Sequence, residues 1–391
     1  MRKILDLGMQ TVVAFPEKAD AELPKAPLEV MMCTDCTLLQ LRYSFNKELL
    51  YREYWYESHI NPMMVKALKD VVDKATEIIR LEKGDIVIDI GSNDSTLLLN
   101  YPKDVVKVGF EPSNIAKIPE ENGILVNDFF NAADYYKAMS KPAKMISSCA
   151  CFYDLLDPNA FLQDVCKCLD RDGLFIIQIN YLGLMIRNKT YDDIVIEHEC
   201  FYSLRSLEFL LERNGLEVID AELNSVNGGS IRVYIKHRES ILSIEGGSER
   251  VRVLRLEEEA MGLGRLETYE RFHDYMEMNK QKALSFIKGE VEKGKKISIE
   301  GCSTRGLVQL QYIGLTDRDI AYAIDKNPRK YNRYYANTKI KIFPPEDAYK
   351  VDYKLVLPYH FLEGIKRDNS DFTRDGGKLI TLIPEFNVIG N

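Results

Sequence analysis

The residues that could do chemistry begin with acids placed at the ends of apolar runs. "VIDIGSNDSTLLLN", Val87 to Asn100, reads as a β-strand, a glycine-containing loop and a helix, with Asp89 closing the strand just before Gly91. In an open parallel sheet, ligands bind beyond the carboxyl ends of the strands. A glycine there lets the backbone approach a ligand closely. The loop has neither the G-x-G-x-x-G spacing nor a Walker lysine, which disfavours dinucleotide and triphosphate grips. A carboxylate at position 89 instead suits a cation. Glu111 follows in "GFEPS", spaced to accept both hydroxyls of a ribose. "VNDFF" then offers Asp128 for an adenine amino group and Phe129 as a stacking face. Any one of these acids alone reads equally well as a solvated strand end. The three in this order point to S-adenosylmethionine, with Gly91, Asn93 and Pro112 framing the pocket.

The elements that must position these residues follow from periodicity. "NPMMVKALKDVVDKATEIIR" (61–80) has helical spacing. The runs "DIVIDIG", "VVKVGFE", "KMISSC" and "GLFIIQIN" alternate with helical or loop segments, the rhythm of a parallel sheet covered on both faces. "LEVIDAELN" and "GGSIRVYIKH" read as an antiparallel edge. Residues 248–296 are charge-rich and helical. "KISIEGCSTRG", "IAYAID", "IKIF", "YKLVLP" and "KLITLIP" repeat the alternation as five more strands. The expected fold is α/β: an irregular segment 1–65, a Rossmann-like cofactor-binding domain 66–240, a helical linker 241–296 and a second α/β domain 297–391.

Composition sets the bounds. The chain has 391 residues, 46% apolar and 29% charged, with a net charge of −8, which suits an ordinary two- or three-domain globular protein without a nucleic-acid footprint. No apolar run reaches bilayer length, and "MRKILDLGMQTVVAF" lacks the features of a signal peptide. No membrane or nucleic-acid partner is expected. Cys149, Cys151, Cys166 and Cys168 read as small buried hydrophobes rather than a disulfide or metal framework. The expected compartment is cytoplasmic.

At the motif level the chain resembles the nucleotide-sugar C-methyltransferases, enzymes that add a methyl branch to deoxysugars. "DIGSNDSTLL" is similar to their cofactor loop. "DLGMQTVVAF" with "CTDCTLLQL" is similar to their zinc-binding segment, and "YDDIVIEHECFYSL" and "NGGSIRVYI" to their active-site segments. "GCSTRGLVQLQYIGL", "AIDKNPRKYNRY" and "VLPYHF" resemble their C-terminal domain. The resemblance implies that a base removes the proton alpha to a sugar ketone and that the enolate carbon takes the methyl group. It implies His198 as base with Glu197 beside it, Tyr181 and Tyr56 as further catalytic groups, and Tyr54 as a substrate contact. Tyr54 and Tyr56 read equally well as half-buried interface rings. The resemblance also implies a nucleotide-diphosphate-sugar site built from Asn227, Gly228, Ser230 and Arg232 with Ser303, Thr304, Arg305, Arg333 and Tyr334. Gly228 and Gly229 have a plain turn explanation too, and His360 reads as structural. The expected assembly is a monomer or weak homodimer.

The chain also departs from that family. Its zinc site uses two CxxC pairs, and here Cys33 and Cys36 are the only candidate ligands, two where a closed site wants four. Either zinc has been lost or its remaining ligands lie outside this chain. The family's Y-H-E-H is Val195-Ile196-Glu197-His198, a histidine is replaced near Asp154, Gln178 stands for a usual glutamate, and Ser95 for a usual glycine. Two alternatives stay open: transfer to oxygen or nitrogen of a sugar or related metabolite, and a non-catalytic nucleotide-sugar-binding protein.

Overall fold

The computed structural model describes residues 1–12, 14–119 and 123–390. The amino-terminal segment, expected to be irregular, is an antiparallel sheet of β1 (Arg2–Thr11), β2 (Lys25–Met32) and β3 (Leu39–Leu41). Leu5 and Leu7 on β1, and Leu28, Val30 and Met32 on β2, are buried at alternate positions, the period-2 pattern of a one-sided sheet. Pro16 and Pro24 fall in the connection. Pro27, which has no N–H to donate, lies beside a shift in the β1–β2 register.

The helix Pro62–Ile78 forms where its spacing predicts, capped by the Asn61 side chain on the Met63 N–H. It covers one face of a seven-stranded sheet made of β4 (Ile86–Ile90), β5 (Val106–Phe110), β6 (Ile124–Val126), β7 (Ala143–Cys149) and β8 (Leu169–Asn180). Beyond a short β9 (Cys200–Phe201), which extends the amino-terminal sheet next to β3, come β10 (Leu216–Asn224) and β11 (Ser230–His237). The order is β10-β11-β8-β7-β4-β5-β6. β4 to β8 run parallel, and β11 and β10 form the expected antiparallel edge. All five residues of β4 are buried, as a strand covered on both faces requires. Val87, Met145 and Ile176 pack against Val71, Val72 and Ala75 on one side. Ile88, Ile146 and Phe175 pack against Leu162 and Val165 on the other. The chain crosses from β4 to β5 on one side and later returns to β7 on the other. A crevice therefore opens at the β4/β7 carboxyl ends.

The expected linker is a helix pair, Gly247–Met261 and Leu266–Glu292. The first packs on β10 and the second on β1 and the helix Thr304–Ile313, so the two helices belong to different domains. Glu258, 5% exposed, accepts the Tyr181 hydroxyl at 2.7 Å and the N–H groups of Leu204 and Arg205, which open the helix Leu204–Arg213.

The carboxyl-terminal domain is a six-stranded sheet of β12 (Ile297–Glu300), β13 (Tyr322–Ile324), β14 (Ile342–Phe343), β15 (Tyr353–Val356), β16 (Lys378–Thr381) and β17 (Asn387–Ile389), ordered β14-β13-β12-β15-β16-β17. The sixth strand, antiparallel at the end, was not expected. Its core is continuous with that of the amino-terminal sheet: Leu5 and Val30 share one cluster with Phe272, Ile287, Leu307 and Leu310. Among the described residues no helix is long and apolar enough to cross a membrane.

Candidate active site

Two groups of residues meet at the carboxyl ends of β4 to β8. The first surrounds the glycine loop. Asp89, 3% exposed, accepts the Ser147 hydroxyl of β7 at 2.6 Å. Burial, with Glu111 adding to it, pushes its carboxyl up to about 7 against that hydrogen bond. Gly91 has φ +73°, and a Cβ there would lie 3.0 Å from Cys151 Sγ, so the turn needs glycine. Asn93 and Ser95 also hold left-handed backbones, φ 52° and 66°. Ser95 manages it with its hydroxyl on the Lys117 carbonyl at 2.6 Å. Glu111 ends β5, and its two carboxylate oxygens accept the N–H groups of Asn93 at 2.8 Å and Ser113 at 3.0 Å. It thereby fixes the loop that would frame a ligand, with a second lone pair on each oxygen left for hydroxyls.

Asp128 and Phe129 have companions that the sequence did not suggest. Arg52 Nη2 lies 3.0 Å from Asp128 Oδ1, its Nη1 donates to the Pro112 carbonyl at 3.1 Å, and its guanidinium stands 5.3 Å from the centre of the Phe129 ring. Lys47 Nζ is 4.1 Å from that centre. Arg52 belongs to residues 46–60, which lie across the crevice like a strap. The Tyr54 N–H donates to Asn114, the Asn93 side chain bonds the Tyr56 carbonyl and Ser58 N–H, and His59 meets Asp94 at 2.6 Å. The one α-helix of this strap, Lys47–Tyr51, is too short to show a period in the sequence. The strap's sequence signal was the aromatic and basic run "YREYWYESH".

The second group lies where this sheet faces the carboxyl-terminal domain. His198, its side chain 14% exposed, has Nδ1 2.8 Å from the Asp193 backbone carbonyl. A carbonyl only accepts, so Nδ1 carries the hydrogen and the neutral ring keeps its lone pair on Nε2. Burial lowers the His198 pKa below its usual 6.5, with the Asp193 carboxylate opposing. The ring rests 4.1 Å from Tyr153. Glu197 is lifted to about 7 by burial, and the Tyr51 hydroxyl donates to its backbone carbonyl at 2.9 Å. Asp154 is pushed well above the carboxylate range by burial and then by Glu197. Arg305 reaches in from the carboxyl-terminal domain to Asp192 at 2.9 Å and Asp193 at 3.8 Å, and donates to the Asn227 carbonyl. The Asn180 amide donates to Asp193. Burial raises Asp192 to about 6 in spite of Arg305, and burial lowers His360, nearby, to about 4.

Beside the Arg305–Asp192 pair, buried polar atoms without a hydrogen-bond partner concentrate here: Asp154 Oδ1, Asn180 Oδ1, Asp192 Oδ1, Glu197 Oε2, the Tyr359 hydroxyl and His360 Nδ1. Buried polar groups are normally paired, so a cluster of unpaired ones marks a place built for a polar molecule.

Several expected site residues serve elsewhere. The Tyr181 hydroxyl is committed to Glu258, leaving only its ring beside the His198 cavity. Tyr56 is turned toward Asn61 and Asp94, whereas Tyr54 is within electrostatic reach of Asp154, Glu197 and Glu111. Arg232, 1% exposed, is held by Gln178 at 2.8 Å, Asp70 at 2.9 Å and Glu222 at 3.1 Å, a network that joins the sheet to its covering helix. Ser230 donates to the Val226 carbonyl at 2.9 Å. Asn227 and Gly228 do line the seam, and a Cβ on Gly228 would strike the Tyr359 hydroxyl at 2.5 Å. Ser303 caps the helix that begins at Thr304. Arg333 and Tyr334 bind the amino-terminal segment, at Phe15, Glu17 and Pro16, and Arg329 and Arg333 stand 4.7 and 5.8 Å from the Trp55 ring. Val195 and Ile196 are packed in the core.

Cys33 and Cys36 lie together in the turn between β2 and β3, where the Cys33 N–H donates to the Leu38 carbonyl and the Thr37 N–H to the Cys33 carbonyl. The backbone amides of Cys36 and Asp35 pull the Cys33 thiol below its usual range. Among the described residues, however, the one trio of potential ligands is Glu57, His59 and Asp94, away from both cysteines. There Glu57 already pairs with Lys117 at 3.0 Å.

Three family models match the chain in order: one described as a zinc binding domain (residues 1–51), a methyltransferase domain (56–221) and a C-methyltransferase C-terminal domain (225–384). The chain is 28% identical over 370 residues to the C-methyltransferase NovU of Streptomyces niveus, covering 93% of this chain and 87% of that one. Among solved structures, a magnesium protoporphyrin IX methyltransferase of Synechocystis with bound SAH is 13% identical at a TM-score of 0.34, covering 45% of this chain and 87% of that one. An S-adenosylmethionine-dependent methyltransferase of Clostridium acetobutylicum is 15% identical at 0.33, covering 44% and 91%. At those scores neither structure carries an argument about this chain.

Arg305 generates a stability prediction. Arg305→Met leaves Asp192 and Asp193 buried without their counter-charge, and breaking such a pair costs about 3–5 kcal/mol. Urea unfolding is expected to lose stability on that scale. A loss below about 1 kcal/mol would contradict the clamp.

Proposed function

We propose that this chain, which its methyltransferase and C-methyltransferase domain matches and its likeness to a C-methyltransferase support as an S-adenosylmethionine-dependent C-methyltransferase, methylates the carbon alpha to the ketone of a nucleotide-linked keto-deoxysugar, with His198 as the base. The observation that carries the reading is the cluster of unpartnered buried polar atoms around His198, at the seam of the two α/β domains. The imidazole tautomer supports it, because a bare Nε2 is the form that can accept a carbon-bound proton.

S-adenosylmethionine, when bound, supplies the electrophilic methyl group. The residues of the glycine loop fit it: Asp89 is a buried carboxyl without a cationic partner of its own, and an ammonium or sulfonium charge answers that need. Glu111 holds the loop in shape and keeps lone pairs for a ribose. The strap 46–60 closes the crevice from water, and Tyr54 reaches from it toward the acceptor side. Asn227 and Gly228 with Tyr359 form the opposite wall. The amino end of the helix Thr304–Ile313 and Arg329, which stands over Trp55, are where a diphosphate and base would rest. Glu197, adjacent to the base, tunes the site as a group poised near neutrality. We assign no role to zinc. A small-molecule acceptor, a cytoplasmic setting and a monomer or weak dimer complete the reading.

Two expectations follow. A protonated Asp89 must lose its proton to hold a cation, so affinity for S-adenosylhomocysteine by calorimetry should rise with pH and level off above about 7. Asp89→Asn should flatten that profile and weaken binding about 10- to 100-fold, the size of a charge-assisted hydrogen bond. Unchanged affinity in the variant would remove Asp89 from the site. The second concerns the base. In deuterated water, with S-adenosylhomocysteine in place of the methyl donor, keto sugars of the thymidine- and guanosine-diphosphate series should include one that exchanges its alpha hydrogen. His198→Ala should slow that exchange at least about 10²-fold. Exchange persisting in His198→Ala would assign the base elsewhere.

A further inference from the structure

The loop after β7 carries a group that the reading above does not use. Asp154 lies in the loop that follows β7, the strand beside β4, directly after Tyr153, whose ring packs on the His198 imidazole. Its Oδ1 is buried and has no hydrogen-bond partner. The groups that act on it most strongly come from every side of the crevice: Tyr51 of the strap, and Asp193, Glu197 and Glu199 of the facing loop. Three of those four are acids. The Tyr51 proton is directed to the Glu197 carbonyl. Arg305 is engaged by Asp192 and Asp193. Burial and the like charges of Glu197, Asp193 and Glu199 raise the Asp154 pKa well above the usual carboxylate value, against a hydrogen bond from Tyr51 that lowers it, so the balance favours the protonated form.

A neutral carboxylic acid is a hydrogen-bond donor, and donors aimed at a developing oxyanion are what enolate chemistry needs. The aliphatic Val195 and Ile196, packed in the core, offer none. We propose that Asp154, in its neutral form, is a catalytic residue that donates a hydrogen bond to the ketone oxygen as it becomes the enolate. The proposal rests on the enolate reading. When His198 Nε2 takes the alpha proton, the C–H electron pair becomes the carbon–carbon π bond and the carbonyl π pair moves onto oxygen. That oxygen receives the Asp154 O–H hydrogen bond, and the proton stays on Asp154. When the carbon then bonds the methyl group, the pair returns to the carbonyl. The methyl–sulfur pair leaves with sulfur as a neutral thioether, and His198 gives its proton to solvent.

Two measurements test this on the full chain. The infrared difference spectrum between the wild type and Asp154→Asn at pH 7.5, without any sugar, is expected to show the loss of a protonated-carboxyl C=O band. Loss of a carboxylate band instead overturns the proposal while leaving the enolate reading intact. Alpha-hydrogen exchange is then followed with thymidine-diphosphate 4-keto-6-deoxyglucose as probe and S-adenosylhomocysteine bound. Asp154→Ala should slow exchange about 10²–10³-fold, and Asp154→Asn, whose amide still donates, should stay within about tenfold of wild type. Equal loss in both variants, or no loss in Asp154→Ala, overturns the donor role. Absence of exchange in the wild type with this sugar and with every other keto sugar of the thymidine- and guanosine-diphosphate series overturns the enolate reading and this proposal together. Unchanged S-adenosylhomocysteine affinity in both variants shows that the fold is kept.

Discussion

The geometry of the active site depends on one guanidinium held between two domains. Arg305 leaves the first turn of a helix in the carboxyl-terminal domain and ends against Asp192, Asp193 and the Asn227 carbonyl of the other. Asp193 in turn receives the Asn180 amide and offers its backbone carbonyl to His198 Nδ1. The orientation and tautomer of the imidazole are therefore consequences of domain docking. A buried ion pair adds little net stability, because removing the charges from water offsets their attraction. What it does here is tie one domain to Asp192, Asp193 and the Asn227 carbonyl of the other through a single side chain.

Around that clamp the site sorts its carboxyls by environment. Asp89 and Glu111 stand at neighbouring strand ends, one pushed up to about 7 and lacking a cation, the other stitched to two backbone amides. Burial favours the neutral forms of Asp154 and Glu197 as well, with Glu197 adding to the effect on Asp154. His198 is also disfavoured as an ion. Acids that would all be ionised at the surface are thus set apart: Glu111 is held by two backbone amides, Asp89 and Glu197 are brought to about 7, and Asp154 is held well above its usual range. Separating titratable groups in this way is how one pocket can both remove a proton and steady the charge that results.

The strands of both α/β domains were legible in the sequence because their apolar runs are buried on both faces and punctuated by turns. The antiparallel β10–β11 edge and the helix at 62–78 were read for the same kind of reason. The amino-terminal sheet was missed because three prolines outweighed an alternation, at Leu5, Leu7, Leu28 and Val30, that was present all along. The site was legible by position and less so by direction. Sequence places Tyr181 and Arg232 at strand ends near the catalytic face, but which neighbour a side chain meets depends on the opposing element. For these two it is Glu258 and the Gln178–Asp70–Glu222 network. Tyr51, Arg52 and Lys47 went unread because the only α-helix of the strap, Lys47–Tyr51, has five residues, too few for a helical period to show in the sequence.

The claim on which the account rests is that His198 waits as a neutral base with Nε2 bare. Nitrogen-15 NMR of the full chain, with histidine labelled and His198 assigned by substitution, reads this directly. The account predicts, at pH 7.5, a protonated Nδ1 and an unprotonated Nε2 that remains so until the pH falls below 6.5, the usual histidine value. A doubly protonated ring at that pH, or a proton on Nε2 instead of Nδ1, would contradict it.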